Sequence, residues 1–313
     1  MVRVALVGAG SHSSTQHAPA LRMLAERHPG QVELTAVCDL VPDKAARVAE
    51  QYGFARHVQS LDELSGAALD GLVVVLPLPV MAQATPQFLR RRLPMVIEKP
   101  LGRNLSEARE IVAAVKASGV PVMVSLNRRF DPALRTALEW VRRERLSIRL
   151  VEGRMLRTHR AEPEFVWGTG IHLIDALCYA AGPLELQGAP QVINHGGSAC
   201  GRTALLSGQK GVSVQLTILP CAGKVEESIR LVGDEFIAEL KTGAAHPWSV
   251  QIWREGKLAL SEAAPSNEPA FVSSGAYAEM EAFITALQMK TPLTPSPEQA
   301  LASTLIASQL QEC

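Results

Sequence analysis

Two glycines one residue apart, Gly8 and Gly10, follow directly on the apolar run Val4-Ala5-Leu6-Val7, and Asp39 closes the next apolar run, Val32 to Cys38. Those types at that spacing suit a dinucleotide. Glycine lets backbone N–H groups approach a pyrophosphate, and a helix beginning near His17 adds unpaired donors and a favourable dipole. A carboxylate at the end of the second strand accepts hydrogen bonds from the adenosine ribose hydroxyls. Its charge repels a 2′-phosphate, so Asp39 argues for NAD over NADP. The third glycine of a G-x-G-x-x-G pattern is replaced by Ser13, and the connection Ser11-His12-Ser13-Ser14-Thr15-Gln16 is about a residue longer than the pattern. Ser11, His12 and Ser13 are therefore expected to share the phosphate binding. A glycine pair alone could equally mark a strand-to-helix turn that needs positive φ; the strand before it, the helix after it and the acid at the second strand's end select the nucleotide reading.

The elements that must position these residues alternate. From residue 1 to about 125, short apolar runs (Val2–Val7, Glu33–Cys38, Gly71–Leu76, Met95–Ile97, Pro121–Leu126 and a weak Arg56–Val58) are separated by helical patterns. That arrangement gives a doubly wound parallel sheet, an α/β Rossmann-type domain over 1–125. Asn104 and Glu107 read as a capping pair for a helix that ends before Gly119, and Asp131-Pro132 reads as an N-cap followed by proline. The remainder, 126–313, is strand-rich, with runs at Ile148–Leu156, Val212–Leu219, Ser228–Val232, Ile237–Lys241 and Val250–Trp253, and is helical again from about Tyr277. It reads as an α+β domain on an open, mostly antiparallel sheet, the last helix packing back on the first domain.

With 313 residues, 47% of them hydrophobic, the chain can fill two cores. Its formal net charge is zero, which leaves no electrostatic footprint for nucleic acid and no basic amphipathic stretch for a membrane surface. Cys38, Cys178, Cys200, Cys221 and Cys313 show no C-x-x-C spacing and are odd in number, poor material for disulfides or zinc. No metal is expected. An opening strand at residue 2 and the lack of a long apolar run lead to the expectation of a cytoplasmic protein, and the open sheet face to that of a homodimer or homotetramer.

Val96-Ile97-Glu98-Lys99-Pro100-Leu101-Gly102 makes the reading specific. With the glycine turn, Pro77 after Leu72–Leu76, Asn127-Arg128-Arg129-Phe130-Asp131-Pro132 and Gly170-Ile171-His172-Leu173-Ile174-Asp175, it resembles the glucose-fructose oxidoreductase, inositol dehydrogenase and MocA family over most of the chain. The resemblance implies that Lys99 sits beside the nicotinamide and the substrate hydroxyl, often ahead of a cis proline, and that His172 exchanges the proton. An ammonium beside a developing alkoxide stabilises the charge that hydride departure needs, and imidazole titrates near neutrality. Glu98 becomes a supporting residue that holds the turn or tunes its neighbour. Pro77 and Asn127 join the cofactor pocket, with Asn127 or Arg128 shaping the nicotinamide end. Asp175 could orient the imidazole from the same helical face or simply serve the helix dipole.

Two positions depart from the family pattern. Gly168 stands where an aspartate usually precedes the histidine by four residues, and Met81 stands where a histidine is frequent, which predicts a more apolar rim near the nicotinamide. Arg154, Arg157, His159 and Arg160 cluster at the end of a strand the family uses as one pocket wall. Alternation puts Arg157 and His159 on one face, and arginine suits an anionic substituent of the substrate; a solvated edge is the alternative. Trp167 could stack on a sugar ring or fill the core. The candidate substrate residues are thus Arg128, Arg157, His159, Trp167 and Asp175. The resemblance implies an NAD-dependent oxidoreductase acting on a secondary alcohol of a sugar, inositol or related molecule. An NAD-dependent glycosidase and a non-catalytic NAD-binding regulator are the other readings.

Overall fold

The computed structural model of the chain describes residues 1–64, 66, 68–194, 200–243 and 247–312, so Cys313 lies outside the described residues. The chain divides into two compact units, 1–126 with 276–301 and 127–275 with 302–313.

The first unit is a six-stranded parallel sheet. Its strands are β1 (Val2–Val7), β2 (Val32–Cys38), β3 (Arg56–Val58), β4 (Gly71–Val74), β5 (Met95–Glu98) and β6 (Val122–Ser125), in the order β3-β2-β1-β4-β5-β6. Every residue of β4, β5 and β6 is buried, which explains their unbroken apolar runs. Helices α1 (Ala18–Arg27), α2 (Pro42–Tyr52), α3 (Leu78–Leu89) and α4 (Leu105–Ser118) form the crossovers. Asn104 caps as read, its Oδ1 accepting from the Glu107 N–H, and α4 stops at Gly119 in the left-handed conformation, whereas the Glu107 carboxylate accepts from the Arg103 N–H at 2.8 Å instead of closing the pair on Asn104. Helix Ala276–Met289 packs on this unit beside α1 and β1. Gly71 makes room for it, since a Cβ there would stand 2.8 Å from Leu287 and 3.0 Å from Phe283. Ser125 Oγ donates to buried Glu279 at 2.9 Å, fixing the same helix to the end of β6.

The second unit is built on a nine-stranded sheet. After α5 (Pro132–Arg143) come β7 (Ile148–Leu156), α6 (Ile171–Ala181), β8 (Glu185–Leu186), β9 (Gln191–Asn194), β10 (Cys200–Ser207), β11 (Ser213–Leu219), β12 (Glu226–Gly233), β13 (Phe236–Lys241), β14 (Ser249–Arg254) and β15 (Lys257–Ala263). The order is β15-β14-β13-β12-β7-β11-β10-β8, with β9 also on β10. Among the described residues, only β7 and β11 run parallel; the other pairs are antiparallel. The α/β plus α+β architecture expected from the sequence is present, although the sequence reading passed over β8, β9, β10 and β15. Helices α5 and α6 pack on this sheet.

Asp131 caps α5 and does more. Its Oδ1 accepts from the Ala133 and Leu134 N–H groups and its Oδ2 from the Gly243 N–H at 2.8 Å, all fully buried. Burial is the largest influence on its carboxyl, pushing it up to about 7 against those N–H donors and nearby Arg128. Asp131→Ala removes a helix cap and strands a buried donor, which predicts a loss of roughly 2–4 kcal/mol. Urea unfolding followed by far-UV circular dichroism measures it; a loss under about 0.5 kcal/mol, the size of a neutral surface change, would contradict the assignment.

Candidate functional site

At the carboxyl end of β1 the chain turns at Gly8, whose φ is +94°; a Cβ there would lie 2.1 Å from the Val75 carbonyl oxygen, so only glycine fits. A Cβ on Gly10 would meet nothing within 4 Å, leaving open space over the turn for a pyrophosphate. Asp39, half-buried at the end of β2, accepts from the Ala9 N–H at 2.7 Å through Oδ2 and from the Val41 N–H at 2.9 Å through Oδ1. The carboxylate therefore ties the glycine turn to the neighbouring strand.

The expected loop after Gly10 is not a loop. The chain is helical from residue 11, and the surplus residue is taken up as a π-helical turn over Ser13–His17, ahead of α1. The hydroxyls turn back onto the main chain: Ser13 Oγ donates to the Gly8 carbonyl at 2.6 Å, Ser14 Oγ to the Gly10 carbonyl and Thr15 Oγ1 to the Ser11 carbonyl. Ser13 is fully buried, so its side chain braces the turn from inside, a correction to its expected part in phosphate binding. Ser11 and His12 are exposed.

Strand β5 delivers Glu98 and Lys99 at its carboxyl end, with a cis bond into Pro100. Lys99 is half-buried. Glu98 is buried, and its Oε1 lies 2.6 Å from His17 Nε2 and 3.4 Å from His12 Nε2. Burial alone would raise the Glu98 carboxyl, but hydrogen bonds and charge from His12 and His17 carry it well below the usual carboxylate range. The expected supporting role of Glu98 thus has specific partners, and His17, 1% exposed, is one the sequence reading missed. Pro77 is exposed at the start of α3. Met81 is 1% exposed inside the core, which corrects its expected place on a rim.

In the second unit, most of the expected substrate residues are committed to the protein itself. Arg128 is buried and donates to both carboxylate oxygens of Glu227, at 2.6 and 3.4 Å, and Arg157 donates to the same Glu227. Asn127 is buried, its Nδ2 donating to the Ser274 carbonyl at 3.0 Å and its Oδ1 accepting from Arg128. These three are corrections: a guanidinium or amide so held is spent on the fold. Asp175 is another, fully buried with Arg129 donating to both oxygens at 2.7 Å and Ser303 Oγ at 3.0 Å. Trp167 is 3% exposed and packs in the core, not against a ring in solution. Strand β7 ends at Leu156, and His159, exposed at φ +53°, stands in a turn, so alternation with Arg157 does not hold. Arg160 donates to Thr169 Oγ1 at 3.1 Å and pairs with Glu162, while exposed Arg154 lies 3.6 Å from Glu226. His172 is half-buried in the first turn of α6. A Cβ on Gly168 would meet nothing within 4 Å, so sterics do not forbid the larger residue that the pattern leads one to expect there.

Residues 2–126 match the profile of an oxidoreductase family with an NAD-binding Rossmann fold. Inositol 2-dehydrogenase of Rhizobium meliloti is 32% identical over 142 residues, 44% of this chain and 41% of that enzyme. The match thus spans about two fifths of the relative's length. Among solved structures, a Gfo/Idh/MocA family oxidoreductase from Vibrio cholerae superposes with a TM-score of 0.83 at 17% identity, covering 100% of this chain and 97% of that one. Levoglucosan dehydrogenase in complex with NADH gives 0.81 at 16% identity over 99% and 96%. Both share the fold of this chain. Among the described residues, no helix is long and apolar enough to cross a membrane.

The Arg128–Glu227–Arg157 group sets a stability test. Burial raises the Glu227 carboxyl, yet the two guanidiniums hold it down at about 2. Glu227→Gln leaves buried guanidinium charge uncompensated and is expected to cost roughly 3–5 kcal/mol at pH 7. The ordinary value is 4.5 and the folded value about 2. The stabilisation is therefore whole above about pH 4.5 and lost as pH falls toward 2, so the gap between wild type and variant should narrow by about 3 kcal/mol across that window. Urea unfolding at stepped pH reads it, and a gap that does not narrow on acidification would contradict it.

Proposed function

We infer that this chain, which belongs through residues 2–126 to the glucose-fructose oxidoreductase, inositol dehydrogenase and MocA family, is an NAD-dependent oxidoreductase that moves a hydride between nicotinamide and a secondary alcohol of a sugar, inositol or related polyol. One observation carries this reading. The glycine turn, Asp39, Pro77 and Glu98-Lys99 all leave the carboxyl edge of one parallel sheet, following β1, β2, β4 and β5, and the strand order reverses between β1 and β4. Open α/β sheets bind their ligands at that edge and at that reversal.

Bound NAD supplies the hydride acceptor. Gly8 and Gly10 keep the turn low enough for its phosphates, and the N–H groups of the first helical turn face them. Asp39 receives the ribose hydroxyls and disfavours a 2′-phosphate. The Lys99 ammonium lies beside the substrate oxygen and stabilises the negative charge that grows there. By the same resemblance, His172 of the second unit is the group that accepts or returns the hydroxyl proton. Gly168 removes a carboxylate from that helix, which suits a substrate whose hydroxyl pattern does not need the contact. Self-association through the uncovered face of the nine-stranded sheet, which carries Arg154, Gln215, Arg230, Glu239 and Lys241, is the proposed assembly, and the cytoplasm the proposed compartment.

Lys99→Met is expected to lower turnover at least 10²-fold in a screen of inositols, sugars and sugar acids, while NADH affinity changes less than about threefold, because the charge acts on the reacting oxygen. Turnover equal to wild type would refute the role. Wild type is expected to bind NADH more tightly than NADPH, and Asp39→Ala to narrow that preference about tenfold or more. Both affinities should also weaken, since the Ala9 N–H loses its partner. Fluorescence titration measures both, and a native preference for NADPH would overturn the cofactor assignment.

A further inference from the structure

We propose that His12, His17 and Glu98 form a binding site for a divalent transition-metal ion. One ring nitrogen of each histidine and a carboxylate oxygen of Glu98 lie within 4.8 Å of one another, although His17 and Glu98 are 81 positions apart. The π-helical turn is what brings the histidines together. Residues five apart on an α-helix point about 140° away from each other. A turn closed by i→i+5 bonding, such as that from the Ala18 N–H to the Ser13 carbonyl, returns them to one face, and the two rings meet edge-on with centroids 5.3 Å apart.

The donor set chooses the ion. Two neutral imidazoles and one ionised carboxylate suit Zn²⁺, Co²⁺ or Ni²⁺, whereas Mg²⁺ and Ca²⁺ want oxygen. Donors around a tetrahedral ion stand about 3.4 Å apart when each bond is about 2.1 Å. His12 and Glu98 already stand at 3.4 Å, and the 2.6 Å contact from His17 to Glu98 needs to open by less than an ångström. A proton now bridges that contact; the ion displaces it to solvent and takes its place. His12, with 49% of its side chain exposed, gives the ion a way in and leaves its remaining positions to water.

Affinity is limited by what surrounds the ligands. His17 Nδ1 is buried without a hydrogen-bond partner, whereas a metal-bound histidine ordinarily donates its second N–H to an acceptor, support worth about 10–100-fold in affinity. The site is therefore micromolar and exchangeable, not a permanent structural centre. Occupied, it clamps the first helical turn after the glycines to the residue before Lys99.

The test is calorimetric titration of chelator-stripped full-length protein with Zn²⁺, and an absorbance titration with Co²⁺. Wild type should bind one ion with micromolar affinity and show no saturable heat with Mg²⁺. His12→Ala, an exposed position that leaves the core intact, and Glu98→Gln, which keeps the side-chain volume, should each weaken binding at least tenfold, while exposed His57→Ala should not. Circular dichroism confirms that the variants are folded. Absence of saturable Zn²⁺ binding below millimolar concentration would overturn the proposal, as would affinity unchanged in both His12→Ala and Glu98→Gln.

Discussion

A buried carboxylate with two imidazoles against it governs the first unit. Glu98 ends β5 at 7% exposure, and an ionised carboxylate so largely removed from water is tolerable only with hydrogen-bonded partners. His17 and His12 supply them from the helical turn that follows β1. The pairing therefore joins the end of one sheet strand to the turn that leaves another, and it fixes the peptide from which Lys99 projects. Asp39 does the same from the other side, binding the Ala9 N–H within the glycine turn. Two carboxylates thus hold the glycine turn and the helical turn that follows it, and tie them to the ends of β2 and β5.

The second unit uses the same physics for a different end. Glu227 between Arg128 and Arg157, and Asp175 between Arg129 and Ser303, are buried charges whose partners saturate them. Breaking such a group is costly, while its net contribution to stability over an apolar alternative is small. What it supplies is a fixed geometry for the segment Asn127–Asp131 and for α6, which carries His172. Arginines that look available for an anionic ligand in the sequence are, in the fold, the counterions of its own acids.

That contrast explains what could be read in advance. The strand β1, the glycine turn and the Asn104 and Asp131 caps rest on neighbours within a few positions, and Asp39 and Glu98-Lys99-Pro100 stand out by residue type at the ends of apolar runs, so the chain displays them openly. Partners drawn from far along the chain leave no such trace. His17 with Glu98, Arg128 with Glu227 and Arg129 with Asp175 are 81, 99 and 46 residues apart, and no spacing announces them. The π-helical turn hid for another reason: the surplus residue was visible, but a loop and a widened helical turn absorb it equally well in sequence, and the bond from the Ala18 N–H to the Ser13 carbonyl that marks the widened turn is a backbone contact no residue type announces. Of the strands that were passed over, β8 and β9 are short and β15 lies largely in solvent, while β10 buries Arg202 and exposes Leu205, which breaks the alternation a sequence reading looks for.

The central claim is that the carboxyl edge of the six-stranded sheet receives an adenine dinucleotide. Equilibrium titration of the purified protein with NADH, read by enhancement of nicotinamide fluorescence and displaced by NAD, tests it most directly. The account predicts saturable binding of one NADH per chain at micromolar concentration, abolished when Gly10→Glu places a charged side chain in the open space over the turn; no saturation up to millimolar NADH, or binding unaffected by that substitution, would contradict it.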